Sequence, residues 1–280
     1  MAIILYSKKK FHGNAISVNN DVADLKDSGL KGAPSSLSIT AAGDRVLLFK
    51  RKDFDGACLF RQGKAQIEDL GDNDAGGKFG FGNTIASVRL NAFSVDINAT
   101  FIKNAGGELP GGLAKTKDAE HLAEQAVIEA SRLWEPFLMR LKLASVEFQT
   151  DDMHFDVELD RLVRFPLSFY KKNHVNVFFI NSFRKALGIT RPACLGEAIA
   201  LTLTKDGAIA GKEILGCTLA HEFGHHVGIH HPGAKNNPTN IMNCPLVYPL
   251  SSIRDLSDEQ VSDAHTCLAR NPARRGQQQG

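Results

Sequence analysis

Over the first ninety or so positions the chain alternates short apolar runs with turn residues and shows hardly any helical period. Ile3-Ile4-Leu5-Tyr6, Val46-Leu47-Leu48-Phe49 and Ala57-Cys58-Leu59-Phe60 are such runs, and they predict short strands of an all-β unit. From Asn91 the composition shifts toward Gly, Asn and Lys, with Gly106-Gly107 and Pro110-Gly111-Gly112, which predicts a linker over 93–117. Over 118–143 the apolar residues recur at helix spacing (Leu122, Ala126, Val127, Ala130, Leu133, Trp134, Phe137, Leu138, Leu141) and predict a packing helix, kinked or restarted at Pro136. Strands are then expected at 145–149, 155–159, 175–180 and 198–203. A helix is expected at about 211–227, apolar through Ile214, Leu215, Leu219, Phe223 and Val227. Ser257 reads as the cap of a last helix, and 271–280 as a disordered tail.

The helix at 211–227 carries the densest chemistry in the chain. His221 and His225 are four residues apart, so they stand one turn apart on one helical face, the spacing two imidazoles need to grip one metal ion. Glu222 lies one residue round from that face, within reach of the metal's surroundings without being a ligand. Gly228 can take positive φ, end the helix and turn the chain back. His231 then supplies a third nitrogen and leaves a fourth tetrahedral position open, as catalytic zinc sites do. His226 and His230 fall outside this register and read as supporting or solvent-facing residues. Five fixed positions recur by chance in roughly one chain of this length in ten thousand.

The pattern H-E-x-x-H-x-x-G-x-x-H resembles that of the metzincin zinc endopeptidases. Asn240-Ile241-Met242-Asn243, with Met242 eleven residues after His231, resembles the methionine turn of that family. The resemblance implies one Zn2+ on His221, His225 and His231, and Glu222 as general base and acid. It also implies a sheet-edge strand ahead of the zinc helix, here the one with Ala198 and Ala200, that receives an extended peptide, and a pocket wall near Tyr248. By the same analogy Cys244 pairs with Cys267, which leaves Cys194 with Cys217; four cysteines allow three pairings, and buried free thiols remain the alternative. Cys244 stands where some branches place a zinc-liganding tyrosine, so no tyrosine switch is expected. Pro232 after the third histidine resembles the serralysin branch.

A repeat runs through the N-terminal part. Tyr6 to Gly13 and Phe49 to Gly56 both read aromatic, four residues, Phe, one residue, Gly, offset by 43. Each copy closes on a serine and a strand, Ser36-Leu37-Ser38-Ile39 and Ser87-Val88-Arg89-Leu90. This resembles a pair of βγ-crystallin Greek-key motifs. The resemblance implies aromatics packed on a folded hairpin, the glycine at positive φ, and the serine hydroxyl pinning the hairpin. The calcium positions of that family correspond to Lys31, Gly32 and Ser35, and to Gly82, Asn83 and Ala86, which offer few oxygen donors to an ion that wants six to eight. Calcium binding is therefore not expected.

The expected fold class is multi-domain: an all-β double Greek key over 1–92, a linker over 93–117, and an α+β metzincin-like domain over 118–270. Composition narrows the partners. The 280 residues carry 33 basic and 31 acidic side chains, a balance that argues against a nucleic-acid footprint. No stretch is long and apolar enough to span a membrane. The short apolar run before Lys8-Lys9-Lys10 reverses the order of a secretory signal, so the expectation is a cytoplasmic chain or export without such a signal.

The leading expectation is thus a zinc endopeptidase acting on a protein or peptide, and the competing one is a binding protein whose zinc only staples the fold. The N-terminal domain is expected to inhibit in cis, to target, or to bind an inhibitory or immunity protein.

Overall fold

The structure is a computed structural model that describes residues 3–71, 81, 84–157, 165–183, 187–190, 198–205, 208–231, 239–243 and 255–270. It divides into two compact units. The first comprises Met1–Ala92 with Ser257–Arg270, and the second begins at Phe93 and includes the chain to Leu256.

The first unit is a double Greek key. Strands β1 (Ile3–Tyr6), β2 (Ala15–Val18), β3 (Ser36–Ile39), β4 (Arg45–Arg51), β5 (Asp55–Gln62), β6 (Ala65–Ile67) and β7 (Ser87–Arg89) form two antiparallel sheets, ordered β2-β1-β3-β6 and β5-β4-β7. Each half lends a segment to the other's sheet. β6 pairs with β3, and Val22 bridges to Val88 of β7. Leu5, Leu37, Val46, Leu48, Phe81 and Val88 are fully buried in the core.

The two repeats adopt one geometry. In the first, Ser36 Oγ donates to the Lys8 carbonyl at 2.7 Å and accepts the Phe11 N–H at 3.0 Å. In the second, Ser87 Oγ donates to Arg51 at 2.6 Å and accepts from Phe54 at 3.1 Å. Tyr6 meets Phe11 edge-on with ring centres 5.5 Å apart, and Phe49 meets Phe54 likewise at 6.0 Å. Gly13 and Gly56 both sit at φ 82°, and at Gly13 a side chain would also press to within 2.5 Å of Ser7 Oγ.

Ser87 is shut off from water, so removing its hydroxyl strands a donor and an acceptor. Ser87→Ala is expected to cost about 1–3 kcal/mol, read as a lower urea midpoint at unchanged slope. An unchanged midpoint would show that the serine does not pin the hairpin.

The segment read as a linker is not one. Phe93–Lys103 is an eleven-residue strand, β8, inside a sheet ordered β13-β14-β11-β8-β9. Its Val95, Ile97, Ala99 and Phe101 alternate and are buried, a strand period that the Gly-rich residues after 103 obscured. The other members are β9 (Met139–Thr150), β11 (Val175–Ile180), β13 (Gly188–Thr190) and β14 (Ile199–Thr202). The short β10 (Asp156–Val157) and β12 (Ser182–Phe183) pair with each other outside this sheet. Within the sheet β13 alone runs antiparallel, and it pairs with β14.

Helix α1 spans Thr116–Trp134 and stops short of the predicted 143. Pro136 cannot continue the ladder, Leu138 turns at φ 60°, and Met139 opens β9. Leu138 and Leu141 fit a helical period, but buried Met139 and Leu141 alternate with exposed Arg140 and Lys142. The predicted strand at 155–159 gives way to a helical turn, Asp152–Phe155, before the two residues of β10; positions 158–159 lie outside the described residues.

Helix α2 (Lys212–His226) packs on α1 where small residues allow it. Gly216 faces Ala126 and Glu129 so closely that any Cβ would overlap them. Trp134 Nε1 donates to the Ala220 carbonyl at 3.0 Å and its ring meets Phe223 edge-on. Helix α2 is buried nearly all round, as expected of a helix between layers, and this holds the face with His221 and His225 in place.

The last helix, α3 (Asp258–Arg270), has the predicted cap. Ser257 Oγ accepts the Gln260 N–H while Gln260 Oε1 accepts the Ser257 N–H. It belongs to the first unit, however, and not to the C-terminal domain expected over 118–270. Ser262 Oγ and Thr266 Oγ1, one turn apart, accept the Phe60 and Cys58 N–H groups of edge strand β5, each at 2.9 Å. They satisfy a sheet edge that would otherwise be open to pairing. No helix among the described residues is long and apolar enough to cross a membrane.

Candidate metal centre

The last two turns of α2 carry His221, Glu222 and His225. The helix ends in αL geometry at Gly228, φ 88°, where the Gly228 N–H binds the His225 carbonyl and the Ile229 N–H binds that of Gly224. The turn brings His231 back over the helix. His231 Nε2 lies 2.9 Å from His225 Nε2 and 3.2 Å from His221 Nε2.

Two of the rings are oriented from behind. His221 Nδ1 donates to the Ile241 carbonyl and His225 Nδ1 to the Ile229 carbonyl, both at 2.9 Å. Fixing the proton on Nδ1 leaves the Nε2 lone pair facing inward. Two inward lone pairs and the His231 Nε2 thus converge on one point, where a cation could be held by all three nitrogens. The 2.9 and 3.2 Å separations from His231 approach the roughly 3.3 Å edge of a tetrahedron with metal–nitrogen bonds near 2.05 Å. The donor set therefore fits zinc.

Electrostatics agree with this role. Burial pushes the His221 pKa down to about 4, helped by neighbouring His225 and His231 and opposed by the Ile241 carbonyl. Burial also lowers that of His225, with His231 and His230 adding to it. Both imidazoles are thus kept neutral, the form that ligates.

Glu222 is buried, and burial raises its carboxyl pKa to about 7, against the pull of the Thr190 hydroxyl. A cation held by the three histidines would draw it down again.

Beneath the site, Asn240 Oδ1 accepts the Met242 N–H and the Asn240 carbonyl accepts that of Asn243, forming a tight turn. Met242 is fully buried against Gly224, where any Cβ would run into its sulfur. The turn does more than fill space, because its Ile241 carbonyl is the group that orients His221.

The sequence located the three histidines, Glu222 and Met242. It could not locate the Ile229 and Ile241 carbonyls, which are backbone groups and carry no side-chain signal. His226 is buried beside Phe223, and His230 is exposed.

The strand with Ala198 and Ala200, expected at the sheet edge, is not at the edge. β14 lies inside the sheet, Ala200 is buried against an apolar cluster with Phe178, and Ala198 packs at its margin. Among the described residues the edge on this side is β13, whose three residues are too few for an alternating pattern to stand out. Tyr248, Cys194 and Cys244 lie outside the described residues. Cys217 is a buried free thiol whose pKa burial pushes up to about 11, so its expected bond to Cys194 is not made. Cys267 is buried on α3.

No known protein family and no curated protein matches the sequence. Solved βγ-crystallin structures are similar to about a third of it. One from Ciona intestinalis shares 20% identity, covering 32% of this chain and 100% of that one, with a TM-score of 0.28. The N-terminal domain of protein S shares 19%, covering 32% and 93%, with a TM-score of 0.26. A βγ-crystallin from an archaeon shares 18%, covering 32% and 95%, with a TM-score of 0.25.

Proposed function

We propose that this chain is a zinc-dependent endopeptidase in which Glu222 is the general base and acid. The observation that carries this reading is the convergence of three imidazole nitrogens beside a buried carboxylate. A metal site that only staples a fold has no use for that carboxylate.

Bound zinc would supply Lewis acidity, making water ionise near neutral pH and polarising the scissile carbonyl. Glu222, beside His221 on the helix, takes the proton as water attacks and passes it to the leaving amine. Among the described residues β13 pairs on one side only, and its other side would receive an extended peptide as a further strand. Affinity would then come from main-chain bonds, with sequence preference left to side-chain pockets. For the Greek-key unit we propose targeting, inhibition or binding of a partner protein.

Digestion of casein tests the proposal. The zinc-loaded chain is expected to cut it, a chelator to stop cleavage, and added zinc to restore it. Cleavage indifferent to the chelator would reject metal catalysis. A tightly held zinc ion with no cleavage of any protein would favour the stapled binding protein.

A further inference from the structure

We infer that Thr190, together with Gly188, positions the Glu222 carboxylate, so that strand β13 aims the general base as well as edging the sheet. This rests on the endopeptidase reading, and four observations support it.

Gly188 lies directly on α2. A Cβ there would come within 2.7 Å of Thr218 Cγ2, 2.8 Å of Glu222 Cγ and 3.1 Å of Glu222 Oε1. Only a residue without a side chain lets the strand sit so close to Glu222, and the contact leaves that side chain no room on the Gly188 side.

Two residues on, Thr190 presents its hydroxyl to the same carboxylate, strands repeating their facing every second residue. That hydroxyl oxygen is buried and makes no hydrogen bond to the described residues as the side chains stand. Thr190 Oγ1 and Glu222 Oε2 are both shut off from water, and neither has a hydrogen-bond partner among the described residues.

A buried donor and a buried acceptor that both lack partners are complementary, and groups of this kind are rarely left unmatched. A small rotation of either side chain closes the bond. That bond ties one carboxylate oxygen to the strand and leaves the other for the proton it carries. Finally, β13 pairs with β14 on one side only among the described residues. A peptide added to its free edge would therefore bind the same strand that holds the base.

The test compares full-length, zinc-loaded wild type with Thr190→Val and Thr190→Ser. Valine keeps the branched shape and removes the donor. It is expected to lower kcat roughly tenfold, the worth of one hydrogen bond made at the transition state, with KM, zinc content and Tm unchanged. Serine is expected to restore kcat. Wild-type kcat in the valine variant, a change confined to KM, or failure of serine to rescue would each overturn the inference.

Crystal structures of wild type and Thr190→Val give a readout independent of turnover. A Thr190 Oγ1 to Glu222 carboxylate distance below roughly 3.2 Å in wild type, with the carboxylate displaced in the valine variant, is expected. An identical Glu222 rotamer in both would overturn it. If wild type cuts no protein, the endopeptidase reading fails, while the rotamer comparison still decides the positioning role.

Discussion

Glu222→Gln is expected to leave the zinc content of the protein unchanged and to slow peptide cleavage by about 10²–10⁴-fold, the range for a positioned acid–base residue. Glutamine matches the carboxylate in shape, so packing against Gly188 survives, but it cannot take up a proton. The ligand set is untouched, because the converging nitrogens are those of His221, His225 and His231. The two Nδ1 bonds that orient His221 and His225 run to backbone carbonyls and not to Glu222. Cleavage and metal content should therefore separate. Parallel assays of zinc by metal analysis and of casein turnover check this, and wild-type turnover in a pure variant sample would remove Glu222 from the mechanism.

A chain ending at Leu256 is expected to lose much of the stability of its N-terminal unit. Val261 and Leu268 of α3 are 0% and 3% exposed, and burying two such side chains contributes about 3–6 kcal/mol. For a unit of this size that corresponds to a Tm lower by at least about 12 °C. The loss also bares the edge of β5 at Cys58 and Phe60, so concentration-dependent self-association should accompany it. Calorimetry and light scattering on the two chain lengths test this. Matching melts and two monomeric samples would show that α3 is dispensable to the Greek keys.

The same helix bears on how the first unit could regulate the second. A pro-segment that is shed needs an exposed linker and no other tether. Here Phe93 begins an interior strand almost directly after β7. A cut in the Gly-rich turn after 103 leaves α3, which follows the metal-site segment in the chain, still packed on β5. Residues 1–92 would then still be held to the rest of the chain through α3.

What could be read in advance follows from what leaves a local mark. The histidine-bearing helix was legible because His221, Glu222, His225, Gly228 and His231 recur at a fixed spacing, and α2 spans Lys212–His226 where 211–227 was expected. The strand Val175–Ile180 was legible because six consecutive buried positions leave few alternatives. The paired Greek keys announced themselves through a repeat whose serines and glycines each have a geometric task.

Other features left weaker marks. β8 was hidden by Asn98 and Thr100, polar residues that are nonetheless buried, Asn98 donating to Thr100 and to Asn176. The end of α1 was blurred because leucines at 138 and 141 satisfy a helix and a strand alike. The membership of α3 depends on packing more than two hundred residues away in sequence, which no local pattern encodes. The edge role of β13 is a matter of sheet order, so the sheet edge was expected one strand too far in, at β14.

The central claim is that the three histidines and Glu222 form a catalytic centre and not a structural one. The most direct test is mass spectrometry of denatured casein incubated with the zinc-loaded chain, the chelated chain and the zinc-loaded Glu222→Ala variant. New peptide termini from the zinc-loaded wild type alone are the predicted result. The same termini from the Glu222→Ala variant, or none from a wild type shown to hold its zinc, would contradict the account.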